Sequence, residues 1–146
     1  MLIADILRYK GTQVHTISAA ASLKEAIDQL AAERIGALLV SNDGRTIEGI
    51  LSERDIVRGL ANDAGDFAGA LVGDLMTRNV FSCAPESTLA AVMELMTAKR
   101  IRHVPVTVKN RLRGVVSIGD IVNARLKEAE RERQEMADYI AGVPAV

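Results

Sequence analysis

With a single cysteine, Cys83, this chain of 146 residues cannot close a disulfide on itself. The thiol reads as a small core filler, since free cysteines are commonly buried. Tryptophan is absent and aromatic residues make up only 3%, so the stacking platforms that grip single-stranded nucleic acid are not expected. Charge of one sign is also missing: 18 Lys and Arg stand against 19 Asp and Glu. No basic face argues for nucleic acid as a partner. No apolar run approaches the roughly 18 residues of a membrane span, so no membrane partner is expected. The first residues, Met1-Leu2-Ile3-Ala4-Asp5, lack the basic and apolar regions of a signal peptide. A cytoplasmic protein is the expectation. His15 and His103 have no Cys or carboxylate at ligand spacing, so no metal site is expected. No Ser-His-Asp order or identifiable carboxylate pair is present, which argues against an enzyme.

What is present is present twice. Gly49-Ile50-Leu51-Ser52-Glu53-Arg54-Asp55-Ile56 returns as Gly114-Val115-Val116-Ser117-Ile118-Gly119-Asp120-Ile121, 65 positions later. A repeat at fixed phase governs how a fold is read. The apolar pair after each Gly predicts a short buried strand. Ser ends that strand and stands where a helix begins, its hydroxyl placed to cap the first turn. Asp follows within that turn, beside the positive end of the helix dipole. The arrangement has two readings. One is a capping box with Asp in place of the usual Glu or Gln. The other is a ligand site: a carboxylate can accept both hydroxyls of a ribose diol, and a helix start suits phosphate. Two copies in one phase favour a paired site.

The surrounding segments repeat as well. Leu2–Leu7 matches Leu71–Met76, each a short helical turn leading into its repeat. Val14-His15-Thr16-Ile17 matches Val80-Phe81-Ser82-Cys83 as a brief extended segment. Leu23, Ala26, Ile27, Leu30 and Ala31 fall on one face of a helix, with Ser22 and Glu25 as its capping box. Leu89, Val92, Met93 and Met96 do the same behind Thr88. Strands are expected over 37–40 and 103–106, each followed by a turn, at Asn42-Asp43-Gly44 and at Lys109-Asn110-Arg111. Each half therefore reads β-α-β-β-α. Residues 62–70, rich in Gly and Asp, read as the hinge. One repeat of about 60 residues is marginal alone, so the halves are expected to share a core. From Asp120 to about Ile140 no Pro or Gly interrupts a helix. Val122, Leu126, Ala129, Met136 and Ile140 form a seam along it, open to water unless a partner subunit covers it. Gly142 and Pro144 end it.

The doubled Gly-h-h-Ser-x-x-Asp, with its matching flanks, resembles the signature of cystathionine-β-synthase-type (CBS) domains, over nearly all of residues 1–125. The resemblance implies an α/β (α+β) fold: two repeats, 1–65 and 66–125, packed about a pseudo-two-fold axis, with a helical tail over 126–146. It further implies two clefts, each an adenosine site. Asp55 and Asp120 would hold ribose hydroxyls, and Ser52 and Ser117 would face ribose or phosphate. Backbone near Ala37 and His103 would read adenine, and Thr16 and Ser82 would line the clefts. Phosphate calls for cations, and the repeats differ there. Arg102-His103 is matched by Gly36-Ala37, and Arg54 by Gly119. Lys10 is a weaker phosphate candidate, and His15 reads as an ordinary strand residue. The two clefts are therefore expected to be unequal. AMP, ATP or NAD(H) is the expected ligand, with S-adenosylmethionine also seen in the family. No other cofactor is required. A regulatory module, probing energy or redox state as a homodimer and acting on a partner enzyme or transporter, is the implied role. A ligand-independent dimerisation module is the alternative.

Overall fold

The computed structural model describes residues 1–62 and 69–142. Most of the expected hinge, residues 63–68, and Pro144 lie outside that description. The chain runs α1 (Ile3–Lys10), β1 (Thr16–Ile17), α2 (Leu23–Glu33), β2 (Ala37–Val40), β3 (Gly49–Ser52), α3 (Glu53–Asn62), α4 (Val72–Leu75), α5 (Leu89–Lys99), β4 (His103–Val108), β5 (Arg111–Ser117) and α6 (Ile118–Ile140). In the first half β1 pairs parallel with β2, and β2 antiparallel with β3. In the second half β4 and β5 form an antiparallel pair. The expected first strand there shrinks to one parallel bridge, Cys83 to Val106.

Periodicity places the helices well. Leu23, Ala26 and Leu30 of α2 are buried, as are Leu89, Val92 and Met96 of α5. Ser22 and Thr88 cap these helices through their hydroxyls, accepting from the amides of Glu25 and Ala91. Only that half of the expected Ser22–Glu25 box forms. The two helix ends match too: Arg34 and Arg100 both turn left-handed at the C-caps. The connections between the hairpin strands differ more than their lengths suggest. Lys109 and Asn110 alone turn β4 into β5, both at positive φ, as a tight hairpin turn demands. The first half instead needs a loop from Ser41 to Glu48. Asp43 organises it by accepting from the amides of Arg45 and Thr46 and the hydroxyl of Ser41.

The halves do not share one core. Two separate buried clusters form, and each borrows its lead helix from the other half. Ile3, Ile6 and Leu7 pack with Leu89, Val92, Val104, Val116 and Ile121. Val72 and Met76 pack with Leu23, Leu30, Leu38, Leu51 and Ile56. Backbone bonds fix the exchange symmetrically. Ile3 N donates to Ser87 O at 2.9 Å and Leu89 N to Met1 O at 3.0 Å. Val72 N donates to Ala21 O at 2.9 Å and Leu23 N to Ala70 O at 3.0 Å. Burying one Ile or Leu side chain gains about 1.5–3 kcal/mol. Exchange of three such residues from α1 therefore makes each half a condition for the other's stability.

α6 runs 23 residues. Only its first turns reach the core, through Ile121 and Ala124. Val122, Leu126, Met136 and Ile140 are exposed, so the seam faces outward along its length. Among the described residues no helix is long and apolar enough to cross a membrane.

Candidate functional site

Four aspartates in this chain do the same local job. Asp5, Asp55, Asp74 and Asp120 each accept a hydrogen bond from the backbone amide three residues earlier, at 2.8–3.0 Å. An acid at this place satisfies an orphan amide and meets the dipole's positive end. The capping reading is therefore correct for both motif aspartates. What separates a mere cap from a binding group is the rest of the carboxylate.

Asp55 is fully engaged. Its Oδ2 accepts from the Ser52 amide at 2.9 Å and the Ser52 hydroxyl at 3.1 Å, and its Oδ1 accepts from the Thr77 hydroxyl at 3.0 Å. It is one of the few buried polar residues, 8% exposed. The backbone closes the space beside it. Thr77 pairs antiparallel with Ile50 on the edge of β3, N to O at 2.9 and 2.8 Å. Gly49 permits this approach, because a Cβ there would stand 2.8 Å from Thr77 O and Met76 Sδ.

Asp120 is placed differently. Oδ2 accepts from the Ser117 amide at 2.8 Å and from Lys10 Nζ at 2.5 Å. Oδ1 has no hydrogen-bond partner among the described residues. Where the first half uses a backbone bridge to Ile50, the second uses a side chain: Lys10 Nζ donates to Val115 O at 2.7 Å. Lys10 gets there because α1 continues three residues past Leu7 as helix, whereas α4 stops at Leu75. Burial works to raise the Asp120 carboxyl. The Lys10 and Ser117 hydrogen bonds outweigh it, so the group sits below the ordinary carboxylate range.

A cleft of about 390 Å³ opens beside this acid. Its walls include Lys10, His15, Ala37, His103, Val115 and Ser117, with Leu38, Leu39 and Ile50 behind them. It thus draws on β2 and β3 of the first half, β4 and β5 of the second, and the end of α1. Its volume falls within the range of small-molecule sites, and its walls mix apolar residues with Gln13, Arg34 and the polar groups of Lys10, His15, His103 and Ser117. His103 is half-buried. Burial and the Lys10 charge lower its pKa, against the opposing pull of Glu53 and Asp120, so the imidazole is neutral at pH 7. The ring packs at Gly36, where an added Cβ would sit 3.4 Å away.

Of the residues singled out from sequence, Ala37, His103 and Ser117 line this cleft, and Asp120 is bonded to two of its walls. The others stand elsewhere. Ser52 and Asp55 close on each other. Arg54 is exposed and donates to the Arg100 carbonyl at 2.9 Å, a cap on the C-terminus of α5. Arg102 and Ser82 are exposed. Thr16 stands on the edge strand β1, paired with Leu39. Lys10 and His15 carry more of the site than sequence reasoning gave them. The signal for Lys10 was the longer first connector, which puts a lysine where the second has Asn79.

A second, shallower groove of about 690 Å³ lies between α2 and α3. Ile27, Leu30, Ile35, Ile56, Val57 and Leu60 line it, and Val57 is 63% exposed. Cys83 lies against the second core, and burial pushes its thiol up to about 11, far from reactive.

Comparison with known proteins gives a consistent picture. The model of the CBS domain matches residues 3–62 and again 72–127. A curated relative, the mitochondrial CBS domain-containing protein CBSX3 of Arabidopsis thaliana, is 32% identical across 96% of this chain and 72% of its own. The crystal structure of the CBS-domain containing protein ATU1752 from Agrobacterium tumefaciens superposes with a TM-score of 0.82 at 41% identity, covering 86% of this chain and 99% of that one. The CBS domain pair of protein MJ0100, solved with 5′-methylthioadenosine and S-adenosyl-L-methionine, gives 0.76 at 26% identity, covering 85% and 98%.

Proposed function

The chain belongs to the CBS-domain family, with two repeats in one polypeptide, and on that premise we propose that it is a regulatory module whose Asp120 cleft binds an adenosine nucleotide. The observation that carries this reading is the uncommitted oxygen of Asp120 at the edge of a cleft joining both halves. A ribose diol can donate to that oxygen while the other stays on its cap. The backbone of Ala37 and the neutral His103 ring flank the position for adenine, and Ser117 faces the sugar. The ligands named for MJ0100 are both adenosine derivatives, which supports the ligand class. AMP, ATP or NAD(H) is the expected occupant here. The Asp55 side is closed by Thr77, so one ligand binds per chain.

The module acts by binding rather than turnover. A ligand that touches both halves favours one arrangement of them by its differential affinity, and a partner enzyme or transporter reads the result. We assign the α2–α3 groove and the exposed face of Met93, Val122 and Leu126 to a homodimer contact, because apolar surface of this kind marks association sites. The test is thermal melting of the purified protein with AMP, ATP, NAD and NADH. Ligand at about 100 times its Kd adds roughly 2.7 kcal/mol of stability. Asp120→Ala abolishes the shift and Asp55→Ala preserves it. Flat curves for every nucleotide refute the assignment. They would favour the second reading, a ligand-independent interaction module, which the exposed seam of α6 supports. Removing residues 126–146 separates the two roles by testing association and ligand binding independently.

A further inference from the structure

Helix α6 carries two faces that point opposite ways. Ile121 and Ala124 are buried against the body, and Lys127 Nζ still stands over the Tyr9 ring at 4.2 Å. Val122 and Leu126, on the far side of the same turns, are 53% and 65% exposed. That far side continues as Ala129, Arg133, Met136 and Ile140, in steps that alternate between four and three residues throughout. This is the spacing that one helix presents to another. From Ala129 onward the side chains are exposed, Asp138 less than the rest, and the CBS match ends at residue 127. A helix end of this kind is marginal in water without packing. The seam from Val122 to Ile140 is about 27 Å long at 1.5 Å per residue, and the body does not cover it.

What fits this seam is the seam itself, reversed. With a two-fold axis at Arg131, Val122 meets the partner's Ile140, Leu126 meets the partner's Met136 and Ala129 meets the partner's Arg133. All six seam positions are then matched, and the long arginine lies over the smallest of them. A slide of one heptad either way leaves only four matched, with Arg133 against Val122 or Met136. Parallel pairing sets Arg133 on its own copy and Ala129 on its own copy, a like-charge contact beside a gap. Charge agrees with the reversed register. Arg133 already holds Glu130 of its own helix, at 2.6 and 3.2 Å. In the pair it also stands beside the partner's Glu130, so two arginines bracket two glutamates at the axis. On the opposite flank Glu132 faces its own copy, a repulsion that the pair has to overcome.

We propose that α6 pairs with α6 of a second copy of this chain, antiparallel about Arg131, and that Arg133 fixes the direction and register. The pairing rests on the homodimer contact proposed above and extends it along the whole helix. It does not depend on the nucleotide cleft.

The experiment is disulfide trapping in the full chain. Leu126→Cys and Met136→Cys, each with Cys83→Ala, are oxidised separately and as an equimolar mixture. Each variant alone stays uncrosslinked, and the mixture yields a covalent dimer on a non-reducing gel. Sedimentation of the chain with Cys83 intact reads the charges. Arg133→Glu weakens dimerisation about tenfold or more, Glu130→Arg combined with Arg133→Glu restores most of it, and Glu132→Gln tightens it. Crosslinking of either cysteine variant alone means parallel helices and overturns the proposal. A dimer that crosslinks in no sample, or that ignores Arg133→Glu, also overturns it and leaves the broader homodimer contact standing. A chain that stays monomeric at every concentration overturns both. The substituted α6 positions are all exposed, and melting temperatures confirm that each variant is folded before its association is read.

Discussion

Asp55 and Asp120 hold equivalent places in the two repeats and end in different circumstances. Each caps the helix it begins. Asp55 then spends its second oxygen on Thr77, and the Thr77 backbone bridges to Ile50. Asp120 meets no such bridge, because the segment that corresponds to Thr77 lies within helix α1. Lys10, two residues further on, reaches back to it. The same eight-residue motif thus yields a structural knot in one half and an adjustable ion pair in the other. The segment that follows the exchanged lead helix decides whether the motif aspartate keeps a free oxygen.

The largest test of this contrast is a pair of alanine substitutions. Asp55→Ala removes a buried acceptor and strands the Ser52 amide and the Thr77 hydroxyl. The expected loss is about 2–4 kcal/mol, with ligand affinity changed little. Asp120→Ala removes a partly exposed cap together with the Lys10 ion pair and should cost about 1–2 kcal/mol of stability, yet eliminate nucleotide binding. Urea unfolding and nucleotide titration of both variants check the crossing. Two variants that lose stability and affinity in the same proportion would erase the distinction.

The glycines that open the two motifs sharpen it further. A methyl at Gly49 would meet the Thr77 carbonyl at 2.8 Å as well as Met76. Backbone cannot step aside without breaking the bridge to β3. A methyl at Gly114 would meet Leu7 Cδ2 at 2.8 Å, the end of a side chain that can rotate. Overpacking costs about 1–3 kcal/mol, so Gly49→Ala belongs at the top of that range and Gly114→Ala at the bottom. Thr77→Val is milder than Gly49→Ala. It deletes one hydrogen bond to a charged acceptor, about 1.5 kcal/mol, while the backbone bridge remains. Ligand stoichiometry should therefore stay at one per chain. A second equivalent of nucleotide bound by Thr77→Val would show that the hydroxyl alone keeps the first cleft shut.

Much of this contrast was not legible in the sequence. The helices α2 and α5 were, because their apolar spacing is local. The doubled motif and the strands beside it were legible for the same reason. The exchange of α1 and α4 was not: Leu2–Leu7 and Leu71–Met76 have the same pattern whichever core receives them. Lys10 and Asp120 are separated by 110 positions, and no periodicity links them. Arg54 looked like a phosphate ligand because it is a cation in the motif. The structure gives it to the Arg100 carbonyl, a contact that depends on how the halves meet. His15 seemed ordinary because a lone histidine on a short strand has no chemical context until β4 lies opposite.

The smallest expected effect concerns pH, and it bears on the second half alone. His103 is held below its ordinary range, first by burial and then by the charge of Lys10. The unfolded chain therefore takes up a proton at a pH where the folded chain does not. With more protons bound when unfolded, stability rises with pH across that window. Read downward, the stabilisation is complete above the ordinary histidine range, about 6.5, and is lost as pH falls toward the depressed folded value. Asp120 continues the trend at lower pH: its folded value also lies below its unfolded one, so its contribution disappears on further acidification. Melting temperatures measured from pH 7.5 to 5 should decline, and His103→Gln should flatten the upper part of that decline. Because Lys10 contributes to the His103 shift, Lys10→Gln should flatten it in part. An unchanged slope in both variants would place the pH sensitivity outside this cleft and leave the difference between the halves purely one of packing.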